Sequence, residues 1–358
     1  MVQLQTGATI SYEAVNDMTR AGICGFGLAG HYFHAPLLEA AGIDIQGVVS
    51  RQRDHVHALL PRARVYERDA ELLANPDVDL VVIATPNHLH VEQARAALLA
   101  GKHVVVDKPL CLHASQANDL IALANERDRM LAVFHNRRWD NDFLTIKKLI
   151  DEDRLGRLNA FHARWDRYRP AVADRWREHE VEGNGVLYDL GAHLIDQALC
   201  LFGTPDWIQA DVFTQRPRAV ASDGFELMLA KDSARITLGV STLAADGGPR
   251  YRVHGAHGSY VKSGLDVQES QLRAGMRAND AAFGIEPQSQ WGTFTDGASG
   301  ERQVIPSEAG RWTHFYTQVR ACIERGGPPP VSASEGREVI RIVEAALKSS
   351  ESGRRVTL

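Results

Sequence analysis

The stretch AGICGFGLAG, residues 21–30, decides the fold of this chain. Its first half is an apolar run of strand length, and glycines then stand at positions 25, 27 and 30, in the spacing GxGxxG. The segment GHYFHAPLLEAAG that follows predicts a helix ending at Gly42. A strand, a glycine turn and a helix in this order are typical of a dinucleotide-binding unit. The alternative is a turn with a structural role only.

Each glycine has its own task in such a turn. Gly25 allows the tight turn, Gly27 lets the backbone approach a pyrophosphate, and Gly30 lets the helix pack close to the sheet. The free N–H groups at the start of the helix then face the phosphates. We therefore predict that the whole loop binds the cofactor, through Gly25, Phe26, Gly27, Leu28, Ala29 and Gly30.

Outward from the turn, strands and helices alternate for about 110 residues, which is typical of parallel βαβ units. Apolar runs at residues 43–50, 79–86, 103–109 and 130–136 predict the further strands. The sequence therefore predicts an α/β protein whose Rossmann domain, a doubly wound parallel sheet, covers residues 21–137. We expect residues 1–20 to be a flexible N-terminal extension.

The pattern changes after Asn136. Helices are predicted at residues 141–153 and 187–203, and alternating runs between residues 207 and 267 predict the antiparallel strands of a second sheet. Residues 268–310 are polar and glycine-rich and predict loops, and two helices flank the prolines at 328–330. We therefore predict a second, α+β domain over residues 138–358, with a role in substrate binding and oligomerisation.

Composition excludes several classes of protein. The chain has 358 residues, a length that suits two domains, with 40 Lys and Arg against 45 Asp and Glu. A net charge of -5 argues against a general nucleic-acid binder and against a polybasic membrane surface. The four cysteines form no CxxC pair, and the first twenty residues lack the pattern of a signal peptide. We expect a cytoplasmic protein with reduced thiols.

The end of the second strand favours one form of the cofactor. An acidic residue there would bind both ribose hydroxyls and favour NAD, but this chain has Ser50 and Arg51, with Arg53 nearby. Hydroxyl and guanidinium groups suit a ribose 2′-phosphate. We predict that NADP is preferred and that NAD remains possible. A solvated basic loop is the alternative.

Three residues carry the candidate chemistry. Lys108 follows an apolar strand at the sheet edge where ligands bind, and Asp107 beside it can bind a ribose. Asp189 and His193 stand four residues apart, so they share one face of a helix. A histidine can accept a hydroxyl proton, and a carboxylate can fix its tautomer. A structural Asp–His pair is the alternative; no third ligand has metal-site spacing, so we predict no metal.

Polar and aromatic residues follow at two further places. Asn136, Arg137 and Arg138 come after the last parallel strand, and WDRYRP supplies Trp165, Tyr168 and Arg169. Such groups suit a hydroxyl-rich pocket, although they also suit a plain domain interface. We predict that four of them bind the substrate, namely Asn136, Arg137, Trp165 and Tyr168.

The motifs GFGLAG, TPNHLH, DKP and YDLGAHLIDQ stand in the order and spacing of one family. From Ala21 to Leu358, the chain resembles the Gfo/Idh/MocA oxidoreductases. The stretches FHNRRWDNDFLTIKKLI, WDRYRP and RWRE are similar to the branch that holds NADP-dependent scyllo-inositol dehydrogenases.

This resemblance implies a Rossmann domain followed by an α/β domain whose open, mostly antiparallel sheet makes dimer or tetramer contacts. It assigns the catalytic roles to Lys108, Asp189 and His193, and it implies a cis bond before Pro109. Asp107 replaces the usual glutamate, which shortens its reach towards the cofactor. Further cofactor contacts are implied at Thr85, Asn87, His90, Lys108, Trp176 and Arg177.

The expected reaction is oxidation of a secondary alcohol on an inositol or sugar, with hydride transfer to the nicotinamide. Two alternatives remain open. One is a reductase of the same fold acting on another aldose, a sugar dimer, or a non-sugar imine or enone. The other is a non-catalytic NADP-binding sensor. We expect a small-molecule substrate, no nucleic-acid or membrane partner, and a homodimer or homotetramer.

Overall fold

Two β-sheets organise the chain in a computed structural model that describes residues 19–172, 178 and 181–358. The predicted extension lies outside these residues as far as residue 18, whereas Arg20 already belongs to the first strand. Among the described helices, none has both the length and the apolar character needed to cross a membrane.

The first sheet has six parallel strands in the order β3-β2-β1-β4-β5-β6. They are β1 (Arg20–Cys24), β2 (Asp44–Val49), β3 (Arg64–Tyr66), β4 (Leu80–Ile83), β5 (His103–Asp107) and β6 (Leu131–Phe134). The helices between them are α1 (Ala35–Ala40), α2 (Arg53–Leu59), α3 (Asp69–Leu73), α4 (His90–Leu99) and α5 (Ala114–Glu126). The predicted Rossmann sheet is confirmed, and its order reverses between β1 and β4, where ligands of such sheets bind.

The helix after the glycine turn is not uniform, unlike the predicted one. Residues Gly30–His34 form a π-helical segment, and α1 follows it directly. The N–H of Ala35 bonds to the carbonyl of Gly30, five residues back. Pro36 comes next and has no N–H to donate, so it cannot continue the ordinary i to i−4 ladder.

The second sheet has nine strands in the order β14-β13-β12-β11-β7-β10-β9-β8-β15. They are β7 (Leu158–Arg164), β8 (Trp207–Phe213), β9 (Gly224–Lys231), β10 (Ala234–Ser241), β11 (Tyr251–Gly255), β12 (Gly258–Lys262), β13 (Gly292–Asp296), β14 (Arg302–Ile305) and β15 (Val356–Thr357). The helices of this half are α6 (Asn141–Asp151), α7 (Ala192–Phe202), α8 (Gln268–Arg273), α9 (Thr313–Arg325) and α10 (Ala333–Ser352). Neighbouring strands are antiparallel except β7 and β10, which are parallel.

The prediction of loops over residues 268–310 is wrong in part. Helix α8 and strands β13 and β14 lie within this range. Strand β13 pairs with β12 and β14, so its conformation comes from partners elsewhere in the chain rather than from its own Gly- and Thr-rich sequence.

The buried apolar residues form two separate cores. The first surrounds the parallel sheet, and the second lies between the nine-stranded sheet and helices α7 and α10. Helix α9 buries Phe315, Tyr316 and Val319 in the first core, although it belongs to the range predicted for the second domain. The division into residues 21–137 and 138–358 stays a prediction.

Candidate active site

Lys108 and Asp189 meet between the two halves of the chain. The Lys108 Nζ donates to Asp189 Oδ1 over 2.9 Å and to the Asp189 carbonyl over 2.6 Å. The lysine side chain is 10% exposed and the aspartate side chain 30%. Because Lys108 directly follows β5, it stands at the carboxyl edge of the parallel sheet. The peptide bond to Pro109 is cis, which confirms the expectation from the resemblance.

A second π-helical segment holds Asp189. It covers Leu187–Gly191, and α7 begins at the next residue. A Cβ atom on Gly191 would lie 2.9 Å from Leu187 Cδ1 and 3.3 Å from the Phe225 ring, so glycine permits this close packing. Both π segments of the described chain therefore lie at predicted ligand sites, as such segments frequently do.

His193 lies on the first turn of α7, buried beside the Lys108–Asp189 pair. Its ring is 5.8 Å from that of Trp165 and 6.4 Å from that of His135. Burial lowers the pKa of His193 well below 6.5, and the positive charge of Lys108 lowers it further. The imidazole is therefore neutral at pH 7. Its Nδ1 has no hydrogen-bond partner among the described residues, so the ring is able to accept a proton.

Trp165 forms one wall of this site. The guanidinium carbons of Arg137 and Arg250 lie 4.6 and 4.8 Å from the centre of its ring, a cation–π arrangement that fixes the indole. Arg137 is buried and donates to Glu269 over 2.7 Å. Its charge is thus compensated within the protein, and its role in substrate binding stays a prediction.

The other predicted substrate residues differ in exposure. Asn136 is buried on the short 3-10 turn after β6, and Arg138 donates to Asp196 over 2.7 Å. Tyr168 is 60% exposed and forms an isolated bridge with Leu243. Trp165 therefore lies in ring contact with His193, whereas the Tyr168 side chain lies at the surface.

The glycine turn has the shape of a dinucleotide cradle. Gly25 has φ +91°, and its N–H donates to the Val49 carbonyl at the tip of β2. A Cβ atom on Gly30 would lie 2.3 Å from the Gly25 carbonyl oxygen, whereas one on Gly27 would meet no heavy atom within 4 Å. The open space before Gly27 fits a pyrophosphate. Leu28 beside it is 42% exposed, while Phe26 is buried.

The tip of β2 carries the residues predicted to bind a 2′-phosphate. The Ser50 hydroxyl accepts the N–H of Gln52 over 3.1 Å, and Arg51 is exposed. Sequence reasoning missed two histidines nearby: His31 and His55 stack with ring centres 4.4 Å apart. The signal available was the histidine directly after Gly30, together with the one that follows Arg53 and Asp54.

The TPNHLH motif supports the cis proline. The Nδ1 of His90 lies 2.7 Å from the Pro109 carbonyl and its Nε2 2.9 Å from the Thr85 carbonyl. Both ring nitrogens thus face protein carbonyls, and the cofactor contact of His90 stays a prediction.

The neighbouring candidates are also held by the protein. Asn87 is buried and donates to the Gly183 carbonyl over 2.8 Å, and the Thr85 hydroxyl bonds to Gln93. Asp107 Oδ1 accepts the Lys108 N–H over 2.8 Å. Each side chain is therefore fixed at the edge of the sheet. Trp176 and Arg177 lie outside the described residues.

Comparison with known proteins agrees with this architecture. Residues 19–135 match the family model "Oxidoreductase family, NAD-binding Rossmann fold", and residues 147–358 match "Oxidoreductase family, C-terminal alpha/beta domain". The chain is 40% identical over 345 residues to scyllo-inositol 2-dehydrogenase (NADP(+)) IolW of Bacillus subtilis, covering 96% of each chain.

Two further relatives are similar over nearly the whole chain. The uncharacterized oxidoreductase YdgJ of Escherichia coli is 40% identical over 338 residues, which cover 94% of this chain and 98% of the relative. The solved structure of the putative oxidoreductase yvaA from Bacillus subtilis superposes with a TM-score of 0.93 at 40% identity, covering 96% of this chain and 99% of that chain. The chain is therefore a member of the Gfo/Idh/MocA oxidoreductase family.

Proposed function

We propose that this oxidoreductase transfers a hydride between NADP and the secondary alcohol or ketone of an inositol or sugar. The observation that carries the proposal is the contact of Lys108 Nζ with Asp189 Oδ1 at 2.9 Å, beside a buried, neutral His193. The name of the similar scyllo-inositol dehydrogenase supports the substrate class.

His193 accepts the proton of the substrate hydroxyl as the carbon–oxygen double bond forms. Lys108 donates a hydrogen bond to the same oxygen and stabilises its developing negative charge. Asp189 holds the lysine in place. A nicotinamide cofactor held at the glycine turn of Gly25, Gly27 and Gly30 would supply the hydride acceptor, so the alcohol would lose one proton to His193 and one hydride to the cofactor. In the reverse direction the histidine returns the proton.

The cofactor lies along the glycine turn in this proposal. Gly25, Gly27 and Gly30 shape the pyrophosphate cradle, and Ser50 and Arg51 receive the 2′-phosphate. Thr85, Asn87 and Asp107 line the edge that leads to Lys108, and Trp176 and Arg177 remain predicted contacts. The proposed substrate side of the site consists of Asn136, Arg137, Trp165 and Tyr168.

A homodimer or homotetramer is part of the proposal. One face of the nine-stranded sheet packs on helices, and the other carries the half-exposed apolar residues Met228 and Val304. Light scattering on the purified protein tests this, since a mass of one chain would contradict it.

Turnover on a substrate panel tests the function. Absorbance at 340 nm is followed with NADP and then NAD, across myo-inositol, scyllo-inositol, glucose, xylose and their keto forms. We expect turnover on an inositol or sugar, faster with NADP. Turnover restricted to an unrelated carbonyl compound would contradict the proposed substrate class. Tight cofactor binding without any turnover would favour a non-catalytic sensor.

A further inference from the structure

Two imidazoles form a face-to-face pair beside the glycine turn. His31 belongs to the π segment Gly30–His34, and His55 lies in α2. Their ring centres are 4.4 Å apart and their planes differ by 17°. The Phe26 ring meets both edge-on, with centres 5.4 and 5.8 Å away. The pair is therefore held by three elements that also shape the cofactor cradle.

The pair lies where the proposed function locates the 2′-phosphate. Ser50 and Arg51 connect β2 to α2, and His55 is the third residue of that helix. The Nδ1 of His31 is buried and has no hydrogen-bond partner among the described residues. Buried polar atoms normally have a partner, so a ligand oxygen or a water is expected here.

The charged and titratable groups around the pair come from each neighbouring element. Phe26 contributes no charge from the glycine turn, and α8 contributes Glu269 and Arg273, which pair with each other at 3.0 Å. The others are Tyr32 and His34 on the same helix, Arg51, Arg53 and Asp54 at the start of α2, and His57 further along it. Among these groups and His55, His55 is the one whose charge lowers the pKa of His31, after the larger effect of burial.

Without a ligand, protonation of His31 is disfavoured. Burial lowers the pKa of His31, and the charge of His55 lowers it further. A phosphate dianion beside the rings has the opposite effect, because it favours the charged form of an imidazole.

We infer that His31 and His55 complete the anion site of Ser50 and Arg51, and that the pair takes up a proton when the 2′-phosphate of NADP binds. This inference rests on the proposed preference for NADP. It makes the histidines specificity-determining residues for the cofactor, since NAD has no phosphate at that position.

The linkage has a definite sign. A bound phosphate dianion would raise the pKa of His31 above its value in the free protein. The extra affinity for NADP is therefore present at low pH. It is lost as the pH rises through the pKa of the histidine in the complex. If the pKa of one imidazole rises by one unit on binding, the dissociation constant for NADP+ at low pH falls by about tenfold. The 2′-phosphate itself takes up a proton at about pH 6, and this limits the gain in NADP+ affinity at the lowest pH values.

Isothermal titration calorimetry of the full chain tests the inference. NADP+ and NAD+ are titrated between about pH 6 and about pH 8, in two buffers of different ionisation enthalpy, because the difference in heat counts the protons taken up. We expect proton uptake with NADP+ and none with NAD+. The ratio of the NAD+ to the NADP+ dissociation constant should rise about tenfold from the alkaline to the acidic end.

The variant H31F/H55F keeps two aromatic rings at these positions and removes the ring nitrogens that bind protons. We expect it to lose the proton uptake and the pH dependence of the ratio, with unchanged NAD+ affinity. The variant H57F, at another histidine of α2, is the matched control and should behave like the wild type. Dividing wild-type by variant affinities cancels the titration of the phosphate itself.

Several results overturn the inference. Equal proton uptake with NAD+, or uptake retained in H31F/H55F, would show that the imidazoles do not sense the 2′-phosphate. Tighter binding of NADP+ without any uptake would refute the histidine pair and leave the proposed cofactor preference standing. NADP+ binding no tighter than NAD+ at every pH would refute both.

Discussion

At the scale of single residues, Lys108 connects the two halves of the site. It directly follows β5 at the carboxyl edge of the parallel sheet, and its ammonium group contacts Asp189 on the π segment before α7. The sequence predicted both residues and the spacing to His193, because a strand end and a helix face can be inferred from local patterns. The contacts of both His90 ring nitrogens with the carbonyls of Thr85 and Pro109 could not be predicted, because nothing in the local sequence reveals them.

Lys108→Met tests the role of the ammonium group. The variant keeps most of the side-chain length and removes the donor to the reacting oxygen. Losing one such donor typically costs about 10²–10³-fold in kcat. We expect steady-state kinetics to show this loss of kcat. Calorimetry should show a dissociation constant for NADP+ that is little changed. Lys108→Arg is the conservative control and should retain more activity than Lys108→Met. A fully active Lys108→Met enzyme would contradict the assignment.

At the scale of elements, strands with local apolar patterns were predictable and strands that depend on distant partners were not. The alternation of β1 to β6 with helices predicts the parallel sheet. Strand β15 has two residues and exists through its pairing with β8, and β13 depends on β12 and β14. The π turn before α1 was missed because the predicted pattern assumes a uniform helix.

Two glycine substitutions separate the folding of the turn from its binding of the cofactor. Gly30→Ala places a methyl group 2.3 Å from the Gly25 carbonyl oxygen, so the backbone must shift. We expect a lower melting temperature and weaker NADP+ binding. Gly27→Ala meets no protein atom within 4 Å, so its melting temperature should stay unchanged while the methyl group obstructs the pyrophosphate. Wild-type affinity in Gly27→Ala would argue against the cradle.

At the scale of the whole molecule, the path of the chain joins the two cores. After β14, the chain returns to the first core with α9, where Tyr316 contacts His34 on the first π segment. The sequence predicted α9 itself but not its place, because amphipathicity shows that a helix has an apolar face and not which core receives it.

Buried histidines predict how the stability of the whole fold depends on pH. His34 is fully buried, with Nδ1 2.6 Å from the Tyr316 hydroxyl, and burial lowers its pKa from 6.5 to about 4. The unfolded chain therefore binds a proton that the folded chain does not, and stability falls as pH drops from about 6.5 to about 4. This residue contributes roughly 3 kcal/mol to that loss.

Urea unfolding of the wild type and His34→Gln at several pH values measures this contribution. The amide keeps a polar partner for Tyr316 and does not titrate, so we expect its free energy of unfolding to fall less on acidification. Parallel curves for the two proteins would show that His34 is not the group responsible.

The most direct test of the central claim is the rate of NADP+ reduction at 340 nm by the wild type and by His193→Asn on the same inositol or sugar. General acid–base groups typically contribute about 10²–10⁴-fold, so we predict a loss of that order in His193→Asn with NADP+ affinity retained. A fully active His193→Asn enzyme would contradict the claim that His193, beside Lys108 and Asp189, takes the substrate proton.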